Sequence, residues 1–399
     1  MFRVVHGAGR TDEKVELVLK APLIVVAGAL ANKPGNGGAA WTRLSWALGL
    51  KRLGCDVYFV EQIDARACTD EAFTWFRHVT DSFGLADTSA LFAAEDGHAV
   101  SVGSGVGLKE LIEVATAADL LVNISGHLTL AALKPRFRAR AFIDLDPGYT
   151  QYWHLHGLAE DHLRDHHAYF TVGENIGRAG CEVPMNGIEW RPIRQPVVLD
   201  EWPVCTHQEM RFTTVASWRG PYGRVTHDGR TLGLKAHEFR KFVTLPALTG
   251  HDFEIALDVD PADRQDVDTL REHDWRVVSP RAVAGDPFAF RRYIQESAAE
   301  CSVAQGIYVE TRTGWFSDRT VRYLASGKPA LVQDTGFAGT YPAGRGLVAF
   351  RTLDEAARGA DLIMRDYEAH ARAARAIAEH WFDSDRVLTD LLRRMGVTA

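Results

Sequence analysis

The chain has 399 residues, 46% of them hydrophobic and 24% charged, with a formal net charge of −7. That length suits two domains with full cores, and the acidic balance excludes broad electrostatic binding to nucleic acid or anionic lipid, so an anionic ligand needs a local cluster of cations. The cysteines Cys55, Cys68, Cys181, Cys205 and Cys301 form no Cys-x-x-Cys pair; they read as free thiols of a reducing cytoplasm, with neither a zinc site nor a disulfide framework.

Short apolar runs alternate with amphipathic segments along the chain, the pattern of parallel α/β domains. The run Pro22–Ala31 follows a charged stretch (Arg10, Asp12, Glu13, Lys14). It is shorter than the roughly 20 residues of a membrane span, so it reads as a buried strand, Leu23–Ala27, and not as a signal or an anchor. A glycine-rich loop, Asn32–Gly38, leads into a helix at Ala39–Leu53, which Gly54 stops, and then a strand at Val57–Val60. Helices follow at Asp70–Phe83, Leu108–Ala118, Leu128–Leu133 and His154–Asp165, with strands at Leu120–Ile124, Ala141–Leu145 and Tyr169–Val172; the region of Leu91 and Phe92 carries no clear pattern. Prolines 184, 192, 196 and 203 mark a connection at about residues 184–208.

A second α/β series starts at Phe212–Ala216. Its strands are expected at Phe253–Leu257, Trp275–Val278, Ile307–Val309, Ala330–Val332 and Leu347–Phe350, with helices at Lys235–Leu245, Ala262–His273, Pro287–Glu300 and Asp318–Ala325 and further helices to the end. The expected organisation is two doubly wound Rossmann-like domains facing across a cleft, 1–190 and 205–380, with a terminal helix in 381–399 packing back on the first. Ligands in such sheets sit beyond the carboxyl ends of the strands.

Those strand ends carry the candidates for acid–base chemistry: Glu61 after Val57–Val60, His127 after Leu120–Ile124, and Asp144 and Asp146 in Ile-Asp-Leu-Asp-Pro-Gly. Tyr149, Tyr152 and Trp153 follow and offer rings for stacking on an acceptor. Gly37 and Gly38 join strand to helix, in a spacing that fits neither the dinucleotide fingerprint nor a P-loop. His162, His166 and His167 make no recognised metal pattern, and no metal is assigned. In the second half, Arg312, Gly314, Trp315, Phe316, Ser317, Asp318, Arg319 and Thr320 run from a loop into a helix whose free N–H groups suit a diphosphate. Arg312 and Arg319 are positioned for bidentate phosphate contacts, and Ser317 and Thr320 for hydroxyl contacts.

The block TGWFSDRTVRYLASGKPALVQDTG resembles the donor-binding segment of the GT-B glycosyltransferases. Gly327-Lys328-Pro329 before an apolar strand matches that family's turn, and Asp334-Thr335-Gly336 matches the loop that faces the donor sugar. The resemblance also assigns the loop Ser217–Gly223, with Trp218 and Arg219, and the helix opening at Lys235 to the donor phosphates. It departs from the family in lacking the paired glutamates of the retaining branch and the His-Cys-Gly start of the plant-type inverting branch, so it carries no stereochemistry. What it implies is a metal-independent hexosyl transfer from a nucleoside-diphosphate sugar, held as co-substrate with no further cofactor, to a small-molecule acceptor in the cytoplasm, with no nucleic-acid partner and no integral membrane segment. A GT-B nucleotide-sugar epimerase, or a nucleotide-sugar-binding protein without transfer activity, are the alternatives.

Overall fold

The computed structural model describes residues 20–95, 98–206, 209–220 and 222–398; the stretch Arg10–Lys14 and Pro221 lie outside them. Among the described residues, sixteen strands form two large sheets and a hairpin. The first sheet holds β1 (Leu23–Ala27), β2 (Asp56–Asp64), β3 (Ser89–Glu95), β4 (His98–Gly105), β5 (Leu120–Ile124), β6 (Arg140–Asp144), β7 (Ala168–Thr171) and β8 (Trp190–Pro192). Their order is β4-β3-β2-β1-β5-β6-β7-β8, and only β4 runs antiparallel to its neighbour. In the second half come β9 (Arg211–Ser217), β10 (Val225–His227), β11 (Arg230–Leu232), β12 (Asp252–Asp258), β13 (Trp275–Val278), β14 (Ala299–Ser302), β15 (Ala330–Gln333) and β16 (Leu347–Phe350). Here β10 and β11 pair only with each other, and the parallel sheet runs β13-β12-β9-β14-β15-β16. Both sheets contain the Rossmann order 3-2-1-4-5-6, so each has one topological switch point, between β1 and β5 and between β9 and β14.

β1, β5 and β6 are buried along nearly their whole length, as strands covered by helices on both faces must be. The first helix, α1 (Gly37–Arg52), is buried almost all round, because the first sheet, the second domain and the terminal helix all pack on it. Gly49 marks the last contact: a Cβ there would lie 2.5 Å from Leu388 Cδ1 of the terminal helix Ser384–Arg394. The preceding helix, Tyr367–Trp381, runs beside Asp318–Ala325, where Arg375 donates to the Ala325 carbonyl at 2.7 Å. The chain therefore crosses back to the first sheet between these two helices. None of the described helices is long and apolar enough to cross a membrane.

Several elements differ from the sequence pattern. Leu128–Leu133 is not a helix, because the Asn123 and Gln62 side chains accept from the amides of Leu128, Thr129 and Leu130 and hold the segment as a loop. Ile307–Val309 is not a strand but part of the helix Gly306–Glu310; its β-branched residues face the other domain, not a sheet. The strand of that unit is Ala299–Ser302, and Ser297 closes the helix Pro287–Glu296 before it. The unclear region around Leu91 and Phe92 is the hairpin β3–β4. The expected helix His154–Asp165 is replaced by Tyr149–Leu155 and a single turn at Glu160–Leu163.

Candidate active site

The carboxyl ends of both sheets meet at a cleft of about 640 Å3. Its first-domain wall is the glycine loop and the start of α1; its second-domain wall is the end of β9, the turn after β13 and the start of the Asp318–Ala325 helix. The loop is held from below by Glu61, at the buried centre of β2. One carboxylate accepts from three successive amides: Leu30 at 2.7 Å, Ala31 at 2.6 Å and Asn32 at 3.1 Å. Burial pushes the Glu61 carboxyl up to about 7, against the pull of those amides and of Arg43. With its oxygens spent on the loop, Glu61 is a positioning residue and not a free base.

Arg43, one turn into α1, is the most informative side chain of the cleft. It is only 7% exposed, and Gly28 makes room for its stem, since a Cβ there would lie 2.9 Å from Arg43 Cγ. Its guanidinium gives one hydrogen bond, from Nη1 to the Ala39 carbonyl at 3.2 Å, while Nε is buried without a partner. No described carboxylate approaches it within the 4.0 Å of an ion pair. The ammonium of Lys33, on the loop, likewise has no hydrogen bond or ion pair among the described residues. Burial and Arg43 lower its ammonium pKa, while Asp146, Asp318 and Glu61 pull it back up, so these five charges share one electrostatic neighbourhood. A buried polar group without a partner is costly, and two adjacent unpaired cations in a cleft are the arrangement an anionic ligand completes.

On the opposite wall, Arg319 donates from Nε to Glu300 Oε1 (2.6 Å), from Nη1 to the Val215 carbonyl (2.7 Å) and from Nη2 to Ser302 Oγ (2.9 Å). It is thereby locked across the β9–β14 switch point, with N–H groups left over for the cleft. Asp318 opens the helix and accepts from Thr42 Oγ1 and Arg322 Nη1, each at 2.6 Å. Burial raises its pKa, but Arg322 and Thr42 outweigh that and hold it below the ordinary value. This carboxylate sits on the positive end of its own helix, so the helix start contributes less to an anion than its free N–H groups implied. α1 has no acid in its first turn, and its opening residues line the same cleft.

The remaining acid–base candidates separate clearly. Asp144 is wholly buried and accepts from the Asp146 amide, Thr150, Gln151 and Thr171, so it closes the end of β6. Asp146 is half-buried and bridges the domains: Tyr222 donates to it at 3.0 Å and Tyr308 at 3.2 Å. Burial raises its pKa against those two hydroxyls and the charges of Lys33 and Arg43. His127 stands at the tip of β5 on a left-handed turn, Ser125 (φ 52°) and Gly126 (φ 67°). Its ring makes no hydrogen bond among the described residues, and burial, then Arg43, His162 and Lys33, hold its pKa down to about 3. The imidazole is therefore neutral with a free ring nitrogen that can accept a hydrogen bond from a hydroxyl, while the same burial and cations keep its basicity low. It opens into a second cavity of about 380 Å3 at the ends of β2 and β3, lined also by Asn32, Asp64 and His162.

Other residues singled out from the sequence have structural work. Gly37 and Gly38 serve the approach of the domains: a Cβ on Gly37 would lie 2.1 Å from the Asp286 carbonyl oxygen, and one on Gly38 3.2 Å from the Phe290 ring. Trp218 is fully buried, with Nε1 donating to Asp266 at 2.7 Å, and Arg219 is tied at the surface to Asp263 at 2.6 Å. Lys235 is buried and donates to the Val303 carbonyl; burial and Arg319 lower its pKa to about 7. Arg312 is exposed away from the cleft lining, and Gly314 (φ 73°) leaves room for Asn175, since a Cβ there would lie 3.0 Å from it. Trp315 stacks on Tyr308 at 4.5 Å, Phe316 packs against Phe382, Ser317 caps the helix, and Thr320 is buried. Asp334 is bound by Arg351 at 2.6 Å and by the Gly336 amide.

Tyr149, Tyr152 and Trp153 are not free platforms. Tyr149 and Tyr152 are buried, and the rings interlock with Tyr222, Tyr308 and His227 of the second domain at centroid distances between 4.7 and 5.9 Å. Apolar burial across the domain boundary outweighs their availability to a ligand. Sequence reasoning missed Lys33, Arg43, Tyr222 and Tyr308. For the first two a signal existed: both are basic residues within or one turn beyond a glycine-rich strand-to-helix loop. For the tyrosines none existed, because they reach Asp146 from more than seventy positions away in sequence.

No family model matches the sequence, and no curated protein matches it by sequence. The architecture, by contrast, has clear counterparts among solved structures. Anabaena HepE, solved with UDP and glucose, superposes with a TM-score of 0.57 at 11% identity, over 94% of this chain and 99% of that one. Sucrose-phosphate synthase from Thermosynechococcus elongatus gives 0.54 at 11% identity over the same shares. AviGT4, a glycosyltransferase of avilamycin A biosynthesis, gives 0.54 at 12% identity over 94% and 97%. This chain therefore has the GT-B glycosyltransferase fold, two Rossmann-like domains facing across a cleft.

Proposed function

We propose that the protein is a glycosyltransferase that moves a sugar from a nucleoside-diphosphate donor to a small-molecule acceptor hydroxyl. The observation that carries this reading is Arg43: a buried guanidinium with unspent donors and no ion-pair partner, with Lys33 in its electrostatic neighbourhood on the same wall and Arg319 on the opposite wall of the cleft where the switch points of both sheets meet. The UDP-glucose bound to HepE presents the kind of diphosphate that such a cluster would neutralise.

In the proposed reaction the acceptor oxygen attacks the anomeric carbon, the bond from that carbon to the diphosphate oxygen breaks, and the diphosphate leaves with the electron pair. Arg43, Lys33 and Arg319 stabilise its developing charge. The acceptor lies in the cavity below His127, and the hydroxyl proton passes to Asp146 or to the His127 ring, whose basicity rises once the diphosphate neutralises Arg43 and Lys33. This moves the acceptor site away from Tyr149, Tyr152 and Trp153. The clasp of Tyr222 and Tyr308 on Asp146 closes the domains over the reaction and limits donor hydrolysis by water.

The test is thermal stabilisation by uridine, thymidine, guanosine and adenosine diphosphates, followed by transfer assays with the matching donor sugars. A diphosphate at about 100 times its Kd adds roughly 2.7 kcal/mol to the stability. A shift with one base supports the donor site; no shift with any at millimolar concentration overturns the reading. A shift with donor turnover but no acceptor product points to an epimerase instead.

A further inference from the structure

A second cationic cavity, of about 420 Å3, lies away from the cleft where the chain crosses back to the first domain. Its floor is the junction between the helices Tyr367–Trp381 and Ser384–Arg394. There the connecting segment clips onto the chain end: the Val197 amide donates to the Phe382 carbonyl at 2.8 Å and the Ser384 amide to the Val197 carbonyl at 2.9 Å. The first of these helices lies against the second domain and the other against α1 of the first. The cavity thus straddles the strip of backbone about which the domains would turn.

Four arginines line it against two acids, and both acids are already matched. Glu174 is buried, accepts from Tyr341 at 2.9 Å and faces Arg194 at 3.2 Å. Asp390 accepts from Arg393 and Arg394. The Arg194 guanidinium sits over Trp381, with its Cζ 4.7 Å from the ring centroid, a cation–π contact that restrains the group. Its Nε is buried without a hydrogen-bond partner, because the Glu174 oxygen stands off its N–H direction. Arg178, from the first domain, and Arg386, from the terminal helix, make no side-chain hydrogen bond or ion pair among the described residues. Paired acids with unspent, partly fixed guanidinium groups match a tetrahedral oxyanion and not a neutral or cationic ligand.

We propose that this cavity binds the phosphate group of a small phosphorylated metabolite and that binding there sets the angle between the two domains. Arg178 and Arg386 clamp the phosphate from the first-domain side, and Arg194, held on Trp381, meets it from the connecting segment. Because Arg194 rests on Trp381, at the end of the helix that packs on the second domain, while Arg178 and Arg386 belong to the first-domain side, the ligand's affinity depends on the domain angle, and by linkage it shifts that angle. The inference stands whether or not the cleft binds a nucleotide.

The test uses the full chain and pyrophosphate as probe, by titration calorimetry. Wild type is expected to show two binding sites, one in the cleft and one here. Arg178→Ala with Arg386→Ala, both at exposed positions, removes one site or weakens it at least tenfold and leaves the other unchanged; Arg43→Met does the converse. No pyrophosphate binding by the wild type, or binding that the Arg178→Ala and Arg386→Ala double variant leaves unchanged at every site, overturns the proposal; a single site that the double variant abolishes supports it and counts only against the cleft. In the Arg43→Met protein, saturating pyrophosphate should change the radius of gyration measured by small-angle scattering, and the added Arg178→Ala and Arg386→Ala changes should abolish that response. An unchanged radius with bound pyrophosphate refutes the coupling to the domain angle.

Discussion

Replacing Arg43 by methionine separates stability from ligand binding. The guanidinium has five N–H donors and spends one on the Ala39 carbonyl. Two of the remaining four, directed at diphosphate oxygens, are charge-assisted hydrogen bonds worth about 1.5–3 kcal/mol each. Their loss totals roughly 3–6 kcal/mol, a weakening of about 10²–10⁴-fold at 1.4 kcal/mol per factor of ten. The effect on the fold is much smaller, because two terms oppose. Removing a buried cation relieves its desolvation, while Glu61 and Asp146, whose pKa values it lowers, lose a favourable neighbour. Methionine keeps the stem packed beside Gly28, so the net change is expected within about 1–2 kcal/mol. Calorimetric titration with the nucleoside diphosphate that stabilises wild type measures the loss of affinity, and chemical denaturation measures the change in stability. A variant that keeps wild-type affinity refutes the assignment of Arg43 to the diphosphate. A loss of stability as large as the loss of affinity refutes the claim that its charge is held for a ligand.

Three further outcomes follow from the geometry. Gly37→Ala places a methyl 2.1 Å from the Asp286 carbonyl and should force the domains apart; small-angle scattering should show an expanded particle and transfer should fall at least tenfold, while an unchanged particle argues against the close contact. Glu61→Ala leaves the amides of Leu30 and Ala31 buried without acceptors, at about 1–3 kcal/mol each, and should lower stability by roughly 2–6 kcal/mol in urea denaturation. His127 is held neutral down to pH about 3 when folded, below its ordinary value of 6.5. The unfolded chain then binds the proton first, so this residue's contribution to stability is full above pH 6.5 and declines as the pH falls towards 3. His127→Gln should flatten that part of the stability profile, and an unaltered slope would contradict the buried neutral ring.

The alternation of buried strands and helices sufficed to read two doubly wound domains from the chain, because apolar periodicity and turn chemistry are local properties, and the resemblance of the second-domain motif ending in Gly327-Lys328-Pro329 implied the GT-B fold. The same local signals misled at Ile307–Val309, where a β-branched run meets the other domain and forms a helix, and at Leu128–Leu133, where Asn123 and Gln62 capture the amides a helix would have used. Strand ends could also be located, and with them His127, Asp144, Asp146 and Glu61. Which of these has a free lone pair was decided only by folding: Asp144 and Glu61 spend theirs on neighbouring donors, and the ring of His127 does not. Arg43 and Arg319 look alike in sequence, yet one is locked to Glu300 and Ser302 and the other buried without an ion pair. Composition and spacing thus determined the architecture, whereas the partnering of each charge depends on residues distant in sequence, which only tertiary packing brings together.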